Sequence, residues 1–231
     1  MKEFSVVADQ NPGPATLMPI TLAGSGVTLR PTQPEDAAAL YADSHSEPER
    51  VWKYLAYGPW PDLDSFADWV TERGESRDPL WFTVVDNQSG LPVGMATMLN
   101  YDAVHRRVEL GHIWYVVPAQ GTSANTEATY LLLRHAFLDY RARRVEWKCD
   151  SLNERSRAAA LRLGFHFEGI FAQHMIVKGR NRDTAWFAMT DEDWADAAAK
   201  LEQRLYQDER DDALTEIGLP EIGMRDQPLD E

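Results

Sequence analysis

The sequence predicts a mixed α/β domain whose sheet is mostly antiparallel with one parallel pair near its centre. Two observations lead there. The elements read in the order strand, two helices, three strands, helix, strand, helix, two strands. The segment between the strands at 106–117 and 144–150 is a helix long enough for the crossover that parallel neighbours require. A mixed sheet can part at its parallel pair and leave a crevice at the carboxyl ends of the strands, where a ligand fits.

Each element has its own local reason. Residues 1–20 carry Pro12, Gly13, Pro14 and Pro19 and read as an extended lead-in. "VTLRPT" (27–32) alternates as a strand does. "QPEDAAALYADSH" follows as a helix, with Pro34 in its first turn and Glu35 and Asp36 suiting the N-terminal dipole. The aromatic stretch "VWKYLAYGPWPD" (51–62) reads as a loop. In "DSFADWVTERGE" (64–75), Phe66, Trp69 and Val70 fall on one helical face. "LWFTVVD" and "LPVGMATMLNYD" flank the hairpin turn "NQSG", and "RRVELGHIWYVV" continues the meander. A helix over 126–141 leads to "RVEWKCD" (144–150), and "NERSRAAALRLG" (153–164) is a short helix closed by Gly164. The two strands of 165–190 turn around a glycine, and 191–207 reads as a charged helix.

Composition narrows the class. A chain of 231 residues with eight tryptophans has ample material for a core, and one cysteine excludes both a disulfide framework and a Cys-based zinc site. No apolar signal segment and no membrane-length run is present, which predicts a cytoplasmic protein. The net charge of −14 is uneven, with 14 acids against four bases from Asp191 onward. The main body, 21–190, is therefore close to balanced and lacks the basic footprint of a nucleic-acid binder. The acidic end, 191–231, reads as a solvated helix and tail.

One stretch carries chemistry of its own. "VPAQGTSANTEATYLLLRHAF" (117–137) passes from small polar residues straight into an apolar run. A helix start leaves four N–H groups unpaired and carries about half a positive charge, so small residues in front of it make an anion cradle. Gln120, Gly121, Thr122, Ser123, Ala124, Asn125 and Thr126 form that segment, with Asn125 or Thr126 as the expected N-cap. The alternative is an ordinary polar loop before a core helix.

Three motifs in order resemble the GCN5-related N-acetyltransferase (GNAT) superfamily. "QGTSANTEA" (120–128) is similar to its acyl-CoA pyrophosphate loop. "NERSRAAALRLGFHFEG" (153–169) and "VELGHIWY" (108–115) are similar to signatures of the branch containing the ribosomal-protein-alanine N-acetyltransferases. The resemblance spans roughly Val27 to Asp193. It implies a strongly twisted mixed sheet with a splayed central parallel pair, helices on both faces, and an acetyl-CoA co-substrate with no metal. It also implies direct transfer in a ternary complex to a primary amine: a small metabolite, an amino-acid-like compound or a protein N-terminus. Ser123 and Asn125 stand where the family usually has glycine-type residues.

The resemblance further implies site roles. The backbone of Ile113, Trp114, Tyr115 and Val116 would bond the pantetheine arm, and an N–H there would polarise the thioester carbonyl. Glu109, expected on the same strand face as Gly111 and Ile113, is the candidate base, the alternative being a carboxylate paired with an arginine. Many members place a tyrosine acid where this chain has Ala160. Ser156 is the substitute, with Asn153 orienting the cofactor; a helix cap is the competing use of both. Trp52, Tyr54, Tyr57 and Trp60 would wall the acceptor pocket or pack the early helices. His174, Lys178, Arg180 and Arg182 gather in the last hairpin, where they would meet a substrate carboxylate or phosphate, or form a solvated turn. His112, His135 and Cys149 read as packing residues. A non-catalytic acyl-CoA-binding module is the alternative function, and both a monomer and a homodimer are compatible with the sequence.

Overall fold

The computed structural model describes residues 13–207; positions 1–12 and 208–231, the first part of the lead-in and most of the acidic tail, lie outside the described residues. Eight strands form one sheet. They are β1 (Leu22–Ala23), β2 (Val27–Pro31), β3 (Leu80–Asp86), β4 (Pro92–Asp102), β5 (Arg107–Tyr115), β6 (Arg144–Asp150), β7 (His166–Val177) and β8 (Arg180–Thr190). Their order across the sheet is β1-β2-β3-β4-β5-β6-β8-β7. Among the described residues only β5 and β6 are parallel, with Arg107 to Leu110 paired to Arg144 to Trp147. Past Leu110 and Trp147 the two strands part, and each keeps only its antiparallel neighbour.

Helices cover both faces. Residues of α4 (Ala124–Arg134) and α6 (Asp191–Glu202) share one core with Leu29, Phe82, Met98, Leu110, Val145 and Phe187. Residues of α1 (Asp36–His45), α2 (Pro48–Trp52) and α3 (Leu63–Glu75) share a second core with Trp81, Met95 and Trp114. Neighbouring Trp81 and Phe82 fall in different cores, as alternation along a strand requires. The remaining helix, α5 (Glu154–Arg162), places Ala160 in the first core, fully buried.

Several boundaries differ from the sequence reading. The aromatic loop is preceded by a short helix, α2, with Pro48 in its first turn. Helix α4 begins two residues early. The Ser123 carbonyl accepts the Glu127 N–H at 3.0 Å, and the Thr122 hydroxyl accepts the Ala124 N–H, so Ser123 is the N-cap in place of Asn125 or Thr126. The α-helix closes at Arg134 and the chain continues as a wider helical turn from His135 to Asp139.

The ends of the domain are also tied in. Leu17 of the lead-in is buried in the first core, and the Met18 N–H donates to Tyr140 Oη at 2.8 Å. On α6, Ala197 and Leu201 enter that same core, followed by Leu205, so the packed unit continues beyond residue 190. A capping box starts α6: Asp193 Oδ2 accepts from both the N–H and the hydroxyl of Thr190.

Candidate active site

The parting of β5 from β6 is accompanied by a bulge in β5. Met95 pairs with Trp114 and Thr97 with Gly111, so His112 and Ile113 together oppose Ala96. His112 takes the left-handed conformation at φ 50°. The extra residue reverses the alternation. Trp114 and Val116 join the second core, whereas Ile113 and Tyr115 pack with the first. Ile113 therefore does not share the face of Glu109 and Gly111, contrary to the sequence expectation.

The bulge also fixes which backbone groups face the opening. The Val116 N–H bonds back to the Val93 carbonyl at 2.9 Å on the β4 side. Alternation then turns the backbone groups of Ile113 and Tyr115 toward β6, which has already diverged. The Tyr115 carbonyl is taken by the Gln120 side chain at 3.1 Å.

The loop before α4 lies just beyond. Gly121 has φ +85°, a conformation open to glycine, and a Cβ placed there would meet nothing within 4 Å. Ser123, at a family glycine position, has φ −68° and needs no glycine. Its variant character therefore carries no conformational cost. Asn125 lies inside the first turn of α4, with Oδ1 buried and unpaired. The first intrahelical bond is made by Glu127, which leaves the N–H groups of Asn125 and Thr126 without helical acceptors. A cleft of about 810 Å³ borders Thr122, Ser123 and Ala124 and runs toward the β1–β2 turn.

Gln120 is a clamp rather than a free donor. Its Oε1 accepts from Arg50 Nε of α2 at 2.9 Å while its amide holds Tyr115. Arg50, absent from the sequence reading, thus brings a guanidinium beside the loop. Seventy positions separate it from Gln120, and nothing local to "EPERVW" marks it.

Glu109 is buried on β5 and paired, with a lysine rather than an arginine. Its Oε2 accepts from Lys148 Nζ at 2.7 Å and from Asn100 Nδ2 at 2.9 Å. Lys148 also reaches Glu146 at 3.0 Å and lies 4.0 Å over the Trp186 ring. Glu109 Oε1 accepts no hydrogen bond among the described residues and sits 3.7 Å from where a Cβ on Gly111 would be. One carboxylate oxygen is anchored; the other points along the strand toward the opening.

On the far side of the opening, Asn153 caps α5 by accepting the Ser156 N–H at 3.1 Å. Ser156 Oγ accepts from Trp147 Nε1 at 3.0 Å, and its own proton lies within hydrogen-bond reach of the Cys149 sulfur. Beside it, burial pushes the Cys149 thiol up, in keeping with a packing role.

The expected acceptor residues are divided by the structure. Trp52 is fully buried in the second core with its indole N–H bonded to the Ser44 carbonyl, and it borders a small cleft of about 250 Å³ together with Lys178 and Arg180. A large indole with a satisfied N–H belongs in a core. Tyr54 is half-buried and donates to the Leu152 carbonyl at 3.1 Å, bridging α2 to the start of α5. Tyr57 stacks on His112 with ring centres 5.6 Å apart, and its hydroxyl is buried with no partner. Burial, reinforced by the charges of Arg73 and Arg182, holds the His112 imidazole down at about 4, so it is neutral near pH 7. In the last hairpin, His174 meets the Thr184 hydroxyl, Lys178 donates to the Trp52 carbonyl, and Arg180 pairs with Asp150.

The chain as a whole is similar to known proteins. The sequence model of the acetyltransferase (GNAT) domain matches residues 27–166. The chain belongs to the GNAT acetyltransferase family. Among solved GNAT structures, a GCN5-related N-acetyltransferase from Brucella melitensis is 35% identical, with TM-score 0.81 over 85% of this chain and 89% of that one. A "probable acetyltransferases (GNAT family)" structure from Chromobacterium violaceum is 33% identical, with TM-score 0.77 over 84% of this chain and 98% of that one. The Bacillus subtilis protein named "Putative ribosomal N-acetyltransferase YdaF" is 28% identical, covering 73% of this chain and 93% of its own length. As a GNAT protein the chain is an acyltransferase. Among the described residues, no helix is long and apolar enough to cross a membrane, and no group of three His, Cys, Asp or Glu side chains is placed to hold a metal.

Proposed function

We propose that this GNAT protein is an acetyl-CoA-dependent N-acetyltransferase that moves the acetyl group directly to a primary amine in a ternary complex. The observation that carries the proposal is the end of β5–β6 pairing at Leu110 and Trp147, with the backbone of Ile113 and Tyr115 turned into the gap. That gap leads to the open first turn of α4, where the Gly121 conformation leaves room for a phosphate. The residues present suit the donor: backbone for the pantetheine amides, helix N–H groups and Arg50 for the diphosphate.

The bound donor supplies an acyl group activated as a thioester. An N–H of Ile113 or Tyr115 polarises its carbonyl as the amine nitrogen forms the new C–N bond and the C–S bond breaks. Glu109 Oε1, through a water, takes the proton that the amine sheds. The Ser156 hydroxyl, oriented by the Trp147 indole, gives a proton to the departing sulfur and regains one from solvent. With Ala160 buried where other members carry a tyrosine, Ser156 is the acid within reach of this strand end. Asn153, whose Oδ1 is committed to the cap, keeps its Nδ2 for the donor.

Thiol release from acetyl-CoA over a panel of primary amines, with the product checked by mass for one added acetyl group, tests the catalytic reading. Acetylated amine and free thiol in equal amounts are expected. Saturable donor binding with no release over the panel would favour the non-catalytic module. Arg50→Ala is expected to raise the KM for acetyl-CoA roughly two- to five-fold, the scale of an exposed charge contact, and more weakly at high salt. An unchanged KM at low salt would remove Arg50 from the donor site.

A further inference from the structure

Of His174, Lys178, Arg180 and Arg182 in the last hairpin, three are spoken for. His174, Lys178 and Arg180 bond to Thr184, Trp52 and Asp150. Arg182 differs. No hydrogen bond or ion pair engages it among the described residues, and its Nε lies buried with no partner. The next residue, Asp183, has its Oδ1 on the Gln173 N–H, and Asp150, which pairs with Thr184 across the sheet, holds Arg180. A buried, unpaired guanidinium N–H is costly, and only an acceptor of hydrogen bonds can satisfy it, since Arg has no acceptor of its own.

The position of this orphan matters. Arg182 stands on β8 two residues from Thr184, the partner of Asp150 at the carboxyl end of β6. Its charge is felt both at His112, on the bulge of β5, and at Cys149, on β6. A second orphan donor is the Tyr57 hydroxyl, buried without a partner on a ring stacked on His112. His112 is held neutral, so it does not repel a positively charged amine. Two unsatisfied donors, one of them cationic, are thus each related to His112, on the bulge of β5 beside the parted strands.

We propose that Arg182, assisted by Tyr57, receives the carboxylate of an acceptor that carries both a primary amine and a carboxylate, a small amino-acid-like molecule rather than a protein N-terminus. The inference rests on the acetyl-transfer reading and specifies its acceptor. A carboxylate offers the lone pairs both donors lack and pairs with guanidinium in a charge-assisted bond. Because the Nε is buried, the anion has to enter the protein, which suits a small free molecule.

The test compares acids with their amides at several lengths: glycine, β-alanine, 4-aminobutyrate and L-phenylalanine, each beside the corresponding carboxamide, together with a peptide whose C-terminus is amidated. In thiol-release assays at least one acid is expected to exceed its amide in kcat/KM by about 10- to 100-fold, the range of a charged hydrogen bond. In Arg182→Gln that acid-to-amide ratio is expected to fall to near one. Arg180→Gln, whose guanidinium is already paired with Asp150, is expected to preserve the ratio. Equal rates for acids and amides in the unaltered protein, efficient acetylation of the amidated peptide, or an intact ratio in Arg182→Gln would overturn the proposal. If no amine is turned over, the acetyl-transfer reading fails separately. Calorimetric titration of the CoA-saturated protein with the same acids and amides still decides the anion site: acid-selective binding lost in Arg182→Gln supports it, and unselective or absent binding contradicts it.

Discussion

Glu109→Gln is expected to lower kcat by about 10²- to 10³-fold, the scale of a lost general base, while acetyl-CoA binding stays near its original strength. The side chain is well placed for such a result to be read cleanly. Oε2 is fixed by Lys148 and Asn100, and Oε1 is left toward Gly111. A glutamine can keep the carbonyl on Lys148 but presents an NH₂ where the proton would be taken. Lys148→Met serves as the companion variant, because it removes the pairing without removing the carboxylate. If Glu109 only anchored Lys148, the two variants would lose activity alike. A base at Glu109 predicts a much larger loss, and a reshaped pH profile, for Glu109→Gln alone.

Glu127→Ala is expected to give the largest loss of stability, about 3 kcal/mol or more, read as a fall in the denaturant midpoint. The carboxylate is buried in the first turn of α4 and accepts from the N–H groups of Ser25, Gly26 and Val27 at 2.6, 2.9 and 2.9 Å. The Ser25 and Tyr206 hydroxyls add bonds at 3.1 and 3.0 Å. Removing it strands the buried Val27 donor, at about 1–3 kcal/mol when unpaired and dry, and takes from the exposed Ser25 and Gly26 their bonds to a charged acceptor, each of about 1.5–3 kcal/mol. Gly24 belongs to the same device, since a Cβ there would come within 2.4 Å of Glu127 Oε1. The β1–β2 turn held in this way positions the start of α4, so the variant is also expected to bind acetyl-CoA more weakly. Full donor affinity in a destabilised Glu127→Ala protein would separate the two roles.

What could be read from the sequence was what is local. Alternation identified β2 and β6, the NQSG turn identified β3 and β4, the signals at Pro34, Glu35 and Asp36 identified α1, helical spacing identified α3, and the abrupt change at 120–133 identified the open helix start. The parallel pair followed from the length of the crossover alone. Contacts between distant segments could not be read. Arg50 meets Gln120 across 70 positions, and Glu127 meets the β1–β2 turn across about a hundred. The bulge at His112 and Ile113 was missed because a strand pattern assumes unbroken alternation, and one added residue turns Ile113 to the other face. Trp52 could be read either as a pocket wall or as packing for the early helices, because aromatics in a loop suit both, and α2 folds its indole into the second core. Asn153 and Ser156 show the converse: the cap and the hydroxyl orientation coexist on one short turn.

The central claim is that the gap between β5 and β6 and the open start of α4 together receive the donor. Isothermal titration of the full chain with acetyl-CoA tests it most directly. One saturable site is expected, weakened when Gly121 is replaced by valine, which forces a branched side chain into a left-handed conformation. No heat of binding up to millimolar acetyl-CoA would contradict the account.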